Sequence, residues 1–151
     1  AVQGDDLVYA TPDGHEPMQA VVSDAQQLAS ESGGSVERSS SPTDAVEDAT
    51  VIYTDVFLSM GQEEDKNKIQ QFEGYSVTEE LCARADEDHI FLHCLPAKRG
   101  VEVTDQVMDG PHSRVWDQAE NRLHAQKSLL TRLLNDAAWD TYGEVMGVDG
   151  W

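Results

Sequence analysis

The stretch from residue 89 to residue 100 reads His-Ile-Phe-Leu-His-Cys-Leu-Pro-Ala-Lys-Arg-Gly, and the rest of the chain can be interpreted around it. Its apolar first half predicts a β-strand, which Pro96 must end because proline has no N–H for a sheet ladder. His93 and Cys94 therefore stand at the carboxyl end of a strand, where open α/β sheets bind their ligands. The alternative is structural: a buried thiol beside a histidine that bonds to the backbone.

Two further segments favour the functional interpretation. Residues 51–64 read Val-Ile-Tyr-Thr-Asp-Val-Phe-Leu-Ser-Met-Gly-Gln-Glu-Glu, and residues 120–127 read Glu-Asn-Arg-Leu-His-Ala-Gln-Lys. Together with residues 91–100 they resemble the carboxyl-terminal, amino-acid-binding half of ornithine carbamoyltransferase. The pattern of that family has an aspartate before Ser-Met-Gly, then His-Cys-Leu-Pro, and a late Glu-Asn-Arg. The three blocks occur in the same order over nearly the whole chain, so the resemblance is specific.

The length and the cysteine content indicate one domain without covalent or metal cross-links. We expect residues 1–151 to form a single ornithine-binding domain, with about 136–151 as a carboxyl-terminal tail. The sequence has no apolar run of about 18 residues that could span a membrane, and its first residues lack the layout of a signal peptide. These features favour a cytoplasmic protein. Cys82 and Cys94 lack a Cys-x-x-Cys spacing, so neither a disulfide nor a zinc site is expected.

The acidic composition limits the kinds of partner. The chain has 29 acidic and 10 basic residues and a formal net charge of -19, which repels nucleic acids and anionic membranes. We expect neither as a partner. The acids are spread through every segment while the apolar pattern survives, which indicates a charged surface on a folded domain. Such a surface resembles that of proteins from salt-loving microbes, and the fold is expected to need high salt.

The alternation of apolar segments predicts an α/β fold with a doubly wound, Rossmann-like parallel sheet of about five strands and helices on both faces. The first turn, Thr11–Gly14, lacks Gly-x-Gly-x-x-Gly, so a dinucleotide site is not supported. The predicted strands are 7–10, 35–38, 51–54, 89–92 and 114–116. The first three predicted helices are 18–29, which ends before Gly33 and Gly34, then 42–47 and 63–72. Two short helices follow, one with a capping box at Ser76 and Glu79 and one capped by Thr104. A long final helix carries an apolar stripe of Leu123, Leu130, Leu133, Leu134 and Ala137.

The predicted fold brings Asp55 and Cys94 to the same edge of the sheet, because each directly follows a strand. A primary amine with a pKa near ~10.4 is protonated at neutral pH and must lose a proton before it attacks a carbonyl carbon. The Asp55 carboxylate can pair with the ammonium group, and the Cys94 thiol can orient the amine without acting as a covalent nucleophile. Ser59 and the backbone around Met60 offer groups for the α-amino-acid end of a ligand. We also expect Arg122, placed at the start of the final helix, to bind a phosphate or oxyanion.

The resemblance implies the identity of the ligands. In the family, the residues that match Asp55, Ser59 and Met60 hold L-ornithine, and those that match Cys94, Leu95 and Arg122 contact carbamoyl phosphate. The implied catalytic residues are Asp55 and Cys94. The reaction joins the two substrates into L-citrulline and phosphate without a metal or an organic cofactor.

The sequence also departs from the family pattern. The carbamoyl-phosphate-binding domain, with its Ser-Thr-x-Thr-Arg-type and His-Pro-x-Gln motifs, is absent from this chain. The asparagine-containing segment that opens the second domain of the family is absent too, because Leu7–Ala10 already matches the following strand. We therefore expect a fragment that is inactive alone. The family resemblance implies a homotrimer or higher oligomer when the missing amino-terminal domain is present.

Two alternatives remain open. The first is a carbamoyltransferase for another amine, such as putrescine or an acylated ornithine. The second is a non-catalytic acidic binding or regulatory domain with a transferase-like fold, since fold does not fix function.

Overall fold

A computed structural model describes residues 3–58 and 66–135 of the chain. Strands and helices alternate along the described residues, as the sequence predicts. The elements are β1 (Asp6–Ala10), α1 (Gln19–Ser32), β2 (Ser35–Ser39), α2 (Pro42–Ala45), β3 (Val51–Thr54), α3 (Lys66–Gln71), α4 (Glu79–Cys82), β4 (Ile90–His93), α5 (Asp105–Met108) and α6 (Val115–Leu134).

The strands pair in parallel, but they form two sheets. β1 pairs with β2, and β3 pairs with β4 so that Ile52 lies opposite Phe91 and Thr54 opposite His93. Parallel strands joined by helical crossovers are the α/β class that was predicted. The expected single sheet of about five strands is not found in the described residues, because β1 and β3 share no ladder.

The predicted strand at residues 114–116 is wrong. Ser113 forms only an isolated parallel bridge with Phe91, and α6 begins at Val115. The bridge is held on both sides, since the Phe91 N–H donates to the His112 carbonyl at 2.9 Å and the Arg114 N–H donates to the Phe91 carbonyl at 2.9 Å. The β-branched and aromatic residues here have strand propensity, but packing overrides it: Val115 is fully buried as the first helical residue.

The predicted first helix is confirmed, including its end. Val22 and Ala29 are its buried residues, and Gly33 adopts a left-handed φ of 87° at its carboxyl end. The Gly34 N–H then donates to the Ala29 carbonyl at 2.9 Å. Gly34 also permits a close approach of the chain, since a Cβ there would lie 2.3 Å from the Asp5 carbonyl oxygen.

The start of α4 differs from the predicted capping box. Thr78, and not Ser76, is the cap, and its hydroxyl accepts from the Leu81 N–H at 3.2 Å. The reason is that Val77 is held in an extended bridge with Val103, so that no helix can begin before residue 78. The predicted cap of α5 is confirmed, since the Thr104 hydroxyl accepts from the Val107 N–H.

The chain divides into two compact units, Ala1–Val115 and Trp116–Trp151. The first unit contains both sheets and a core between β3, β4, α4 and α5. The core residues are Ile52, Val77, Cys82, Phe91, Val103, Val107, Met108 and Val115. The second unit is described as far as residue 135 and contains α6 after its first residue. Within the described ranges, no helix has both the length and the apolar character needed to cross a bilayer.

Candidate active site

Asp55 and Cys94 lie side by side at the carboxyl edge of the β3–β4 sheet. Thr54 and His93 are opposite each other in the last register position, so the next residue of each strand reaches the same edge. Asp55 is near enough to Cys94 to raise the pKa of the thiol, in addition to desolvation, through hydrogen bonding and its negative charge. The structure therefore brings together the two residues that sequence analysis placed at this edge.

The surroundings of Cys94 favour a neutral thiol. Desolvation, followed by the hydrogen bond to Asp55 and its negative charge, raises the pKa of Cys94 above its ordinary value. A hydrogen bond from the Tyr53 side chain to Cys94 acts in the opposite direction and lowers that pKa. Tyr53 was not predicted from the sequence, although strand alternation places it on the same side as Asp55, two residues further on. A thiol that keeps its proton can donate to a ligand or to Asp55, but it is a poor nucleophile.

The Asp55 carboxylate is exposed and held by its own backbone. One of its oxygens, Oδ1, accepts from the Val56 N–H at 2.7 Å. This bond orients the carboxylate where the chain leaves β3. An exposed carboxylate beside a protonated thiol can attract a cationic amine and accept hydrogen bonds from it.

A buried pair, His93 and Glu102, supports the turn behind Cys94. The His93 Nδ1 accepts from the Leu95 N–H at 2.8 Å, and its Nε2 lies 3.4 Å from the Glu102 Oε1. An accepting Nδ1 requires the neutral ring to carry its proton on Nε2, which is directed at Glu102. The same Glu102 oxygen accepts from the Lys98 N–H. Sequence analysis did not identify Glu102, whose only signal in the sequence is an acid between two valines.

The turn itself presents carbonyl groups. Leu95 has a left-handed φ of 57°, which is uncommon for a residue with a side chain, and the Leu95–Pro96 peptide is cis. The Leu95 N–H is used by His93, and Pro96 has no N–H. The backbone at residues 94–96 can therefore offer a ligand acceptors, which suit an –NH₂ donor.

Three further site residues were predicted, namely Ser59, Met60 and Arg122. Ser59 and Met60 lie outside the described residues. Arg122 is exposed on α6 in the second unit. The expectation that it stands at the start of the helix is wrong, because α6 begins at Val115, about two turns earlier. Helix-dipole effects fade within the first turn and add little at Arg122.

Within residues 3–58 and 66–135, no three His, Cys, Asp or Glu side chains are gathered closely enough to hold a metal ion.

The fold and the site together define the class: a Rossmann-like amino-acid-binding domain with an acid and a thiol at the carboxyl edge of parallel strands. The chain belongs to the aspartate/ornithine carbamoyltransferase family, and its residues 1–133 match the Asp/Orn binding domain.

Individual relatives agree with this assignment. Ornithine carbamoyltransferase of Pyrococcus horikoshii is 55% identical over 134 residues, which are 87% of this chain and 42% of that protein. The solved structure of the Pyrococcus furiosus enzyme matches with a TM-score of 0.80 at 54% identity, over 84% of this chain and 41% of that one. A structure named N-acetyl-L-ornithine transcarbamylase complexed with PALAO has a TM-score of 0.74 at 33% identity, over 85% of this chain and 40% of that one. The chain thus spans about two-fifths of the length of these relatives.

Proposed function

We propose that this chain is the ornithine-binding half of an ornithine carbamoyltransferase, which transfers the carbamoyl group of carbamoyl phosphate to the δ-amine of L-ornithine. The observation that carries the proposal is the strand register that places Asp55 and Cys94 next to each other at one sheet edge. The identity of 55% to a curated ornithine carbamoyltransferase supports the same reaction.

In this proposal each group at the edge has a separate task. Asp55 attracts the δ-ammonium and accepts its proton, so that the nitrogen gains a lone pair. Cys94 stays a thiol and orients the amine against the carbamoyl carbon. The turn at Leu95 receives the –NH₂ of the carbamoyl group on its carbonyl oxygen. The amine nitrogen then forms a bond to the carbamoyl carbon and a tetrahedral intermediate results. Its C–O bond to phosphate breaks, and the leaving phosphate takes the proton that the attacking nitrogen loses.

We infer that other residues bind the rest of the two ligands. Ser59 and Met60 would hold the α-amino-acid end of ornithine, and Arg122 would bind the phosphate of carbamoyl phosphate. The partner domain that completes the carbamoyl-phosphate site would come from the part of the relatives that this chain does not match, and the complete enzyme would form a cytoplasmic homotrimer or higher oligomer.

An acylated ornithine is the second candidate substrate, since structures of acetylornithine transcarbamylase also match this chain at 33% and 34% identity. Plain ornithine is favoured because the relatives named for it reach 55% identity.

A chimera tests the proposal directly. The matching part of the Pyrococcus furiosus enzyme is replaced by this chain, and citrulline formation is measured with ornithine and with N-acetylornithine. We expect activity with ornithine, and a fall in kcat/KM of about a hundredfold or more for Asp55→Asn. Asp24→Asn, on the exposed surface of α1, is the matched control and should leave kcat/KM unchanged. A folded chimera that prefers N-acetylornithine, or whose Asp55→Asn variant is fully active, would contradict the proposal.

The purified 151-residue chain is expected to form no measurable citrulline. Carbamoyl transfer needs both reactants held within near-attack distance, a contribution of about 7–11 kcal/mol in well-oriented systems. The same assay, run at high protein concentration, checks this expectation, and readily detected citrulline would refute it.

A further inference from the structure

Two histidine rings stack on each other near the amino-terminal end of β4. The ring centroids of His89 and His112 are 4.3 Å apart, and the ring planes differ by 12°. Each ring uses its Nδ1 on the backbone, since the His89 Nδ1 lies 2.8 Å from the Asp86 carbonyl oxygen and the His112 Nδ1 lies 3.0 Å from the His89 carbonyl oxygen. A carbonyl oxygen can only accept, so each Nδ1 carries a proton. In a neutral imidazole the Nε2 is then an acceptor.

The stacked pair lines a cavity of about 240 Å³. His89 is buried, with a relative exposure of 7%. Within the described residues, neither the Nε2 of His89 nor that of His112 has a hydrogen-bond partner. Buried polar atoms are normally paired, so the donor for these nitrogens must come from whatever occupies the cavity. The other residues that line the cavity are Glu79, Cys82, Ala83, Phe91, Gln106, Val107 and Pro111.

The charge at this cavity is negative. Its described lining residues include Glu79 but no lysine or arginine. One oxygen of the Glu79 carboxylate, Oε2, accepts from the Thr104 hydroxyl at 2.9 Å. The thiol of Cys82 stays neutral, because burial, and after it the charge of Glu79, raises its pKa to about 11. A ligand that suits these groups is a cation that donates N–H hydrogen bonds.

The flat and apolar parts of the lining select the shape of this cation. An ammonium group is compact and strongly hydrated, whereas a guanidinium or amidinium group is planar, delocalised and more weakly hydrated. A planar group can stack on an aromatic ring and still direct its in-plane N–H donors at neighbouring acceptors. Phe91, Val107 and Pro111 offer apolar surface to a short hydrocarbon part beside the charged group.

We propose that the cavity between α4, α5 and the amino-terminal end of β4 binds a small organic cation that carries a planar amidinium or guanidinium group. The N–H groups of the ligand donate to the Nε2 atoms of His89 and His112 and to the Glu79 carboxylate. The apolar part of the ligand packs against Phe91 and Val107.

This site is separate from the proposed active site. His89 directly precedes β4, and Cys94 directly follows it. The four residues of the strand lie between them, a length of about 13 Å at about 3.3 Å per residue. The inference therefore does not depend on the proposed reaction.

Benzamidine is a suitable probe, because it joins a planar amidinium group to a small apolar ring. Two compounds of similar size separate the features that the site should recognise. Benzylamine has the charge without the planar cationic group, and benzamide has the planar shape without the charge. The 151-residue chain is titrated with each compound in about 1 M potassium chloride. The Debye length is then about 3 Å, so that the net charge of -19 no longer attracts every cation.

Binding is followed by calorimetry and by the NMR signals of the ring nitrogens of His89 and His112. We expect saturable shifts of these signals with benzamidine. Its affinity should exceed that of either control compound by about tenfold or more, because only benzamidine supplies both the charge and the planar donors.

Substitutions locate the site. Glu79→Gln removes the charge but keeps an oxygen that can accept from Thr104, and it should weaken benzamidine binding by about tenfold. Glu80→Gln changes an exposed neighbour on the same helix that does not line the cavity, and it should leave the affinity unchanged. His112→Asn keeps an amide donor for the His89 carbonyl but removes the Nε2 acceptor and the ring, so it should also weaken binding. Circular dichroism checks that each variant is folded.

Three results would each overturn the proposal. The first is benzamidine binding that is absent or no tighter than that of benzylamine or benzamide, which would show that the cavity holds only water. The second is an equal loss of affinity in Glu79→Gln and Glu80→Gln, which would indicate general attraction to the acidic surface. The third is a folded His112→Asn variant that binds benzamidine as tightly as the wild type. No measurement here uses a substrate of the proposed reaction, so a failure of this inference is distinct from a failure of that proposal.

Discussion

Two side chains at the sheet edge, Asp55 and Tyr53, influence the protonation of the Cys94 sulfur. Desolvation and then Asp55 raise the pKa of Cys94, whereas Tyr53 lowers it through hydrogen bonding to the sulfur. The effects of Asp55 and Tyr53 have opposite signs and come from different side chains, so substitutions can separate them. A protonated thiol is also what the proposed reaction needs, because a thiolate would compete for the electrophilic carbamoyl carbon.

The reactivity of Cys94 with iodoacetamide should follow these signs. Only the thiolate reacts, and its fraction rises with pH until the pKa is passed, so a lower pKa moves the whole alkylation profile to lower pH. Asp55→Asn removes the charge that raises the pKa, and alkylation near neutral pH should become about three- to tenfold faster. Tyr53→Phe removes the bond that lowers the pKa, and alkylation should become slower.

Cys82 serves as the internal reference in the same experiment. Burial is the main cause that raises its pKa, to about 11, so it should stay unmodified in every variant while the fold is intact. Mass spectrometry of the two cysteine peptides measures both rates. Equal alkylation of Cys94 in the wild type, Asp55→Asn and Tyr53→Phe would show that the three side chains do not interact in solution.

Glu102 should matter for stability more than any exposed acid. Its Oε1 receives the Lys98 N–H and faces the His93 Nε2, so Glu102→Ala strands two buried donors and leaves a cavity. We expect the free energy of unfolding in urea to fall by about 2–4 kcal/mol. Glu102→Gln keeps an oxygen at the same place and should cost less than about 1 kcal/mol. Glu37→Ala, at an exposed position of β2, is the control; similar losses for Glu37→Ala and Glu102→Ala would contradict this account.

At the scale of elements, the sequence predicted those structural features that depend on residues close by along the chain. The glycine end of α1, the cap at Thr104 and the placement of Asp55 and Cys94 after their strands all depend on nearby residues. The start of α4 and the loss of the strand at 114–116 depend on pairing with distant segments, through Val103 and Phe91 respectively. The burial of Glu102 was not predicted for the same reason, because it depends on a histidine that lies on another element.

Thr104 connects two helices, which makes its cap more than a local feature. Its hydroxyl accepts from the Val107 N–H of α5 and donates to the Glu79 carboxylate of α4 at 2.9 Å. Thr104→Ala removes both bonds and should lower the free energy of unfolding by about 1–2 kcal/mol. Thr104→Ser keeps the hydroxyl and should lose only a small part of this. Chemical denaturation of both variants provides the measurement, and a Thr104→Ser variant as unstable as Thr104→Ala would point to packing of the methyl group instead of the cap.

At the scale of the whole molecule, repulsion among acids opposes folding. Salt has two effects here: it weakens local ion pairs such as those of Arg99 with Asp105 and Asp109, and it screens the repulsion that comes from the net charge of -19. Exposed ion pairs contribute only about 0–1 kcal/mol each, and the acids outnumber the bases by 29 to 10. The repulsion therefore dominates, and stability should increase with salt.

The melting temperature is expected to rise as potassium chloride increases from about 0.1 M to about 1 M, a range in which the Debye length falls from about 10 Å to about 3 Å. A double variant, Glu87→Gln with Asp88→Asn, removes two exposed negative charges from the loop before β4. It should melt higher than the wild type in dilute buffer and gain less from added salt. A neutral osmolyte such as sucrose separates screening from general exclusion effects, because it should stabilise both proteins equally. A melting temperature of the wild type that stays constant across the salt range would show that its acidic surface is tolerated without screening, and the resemblance to salt-adapted proteins would then have no consequence for stability.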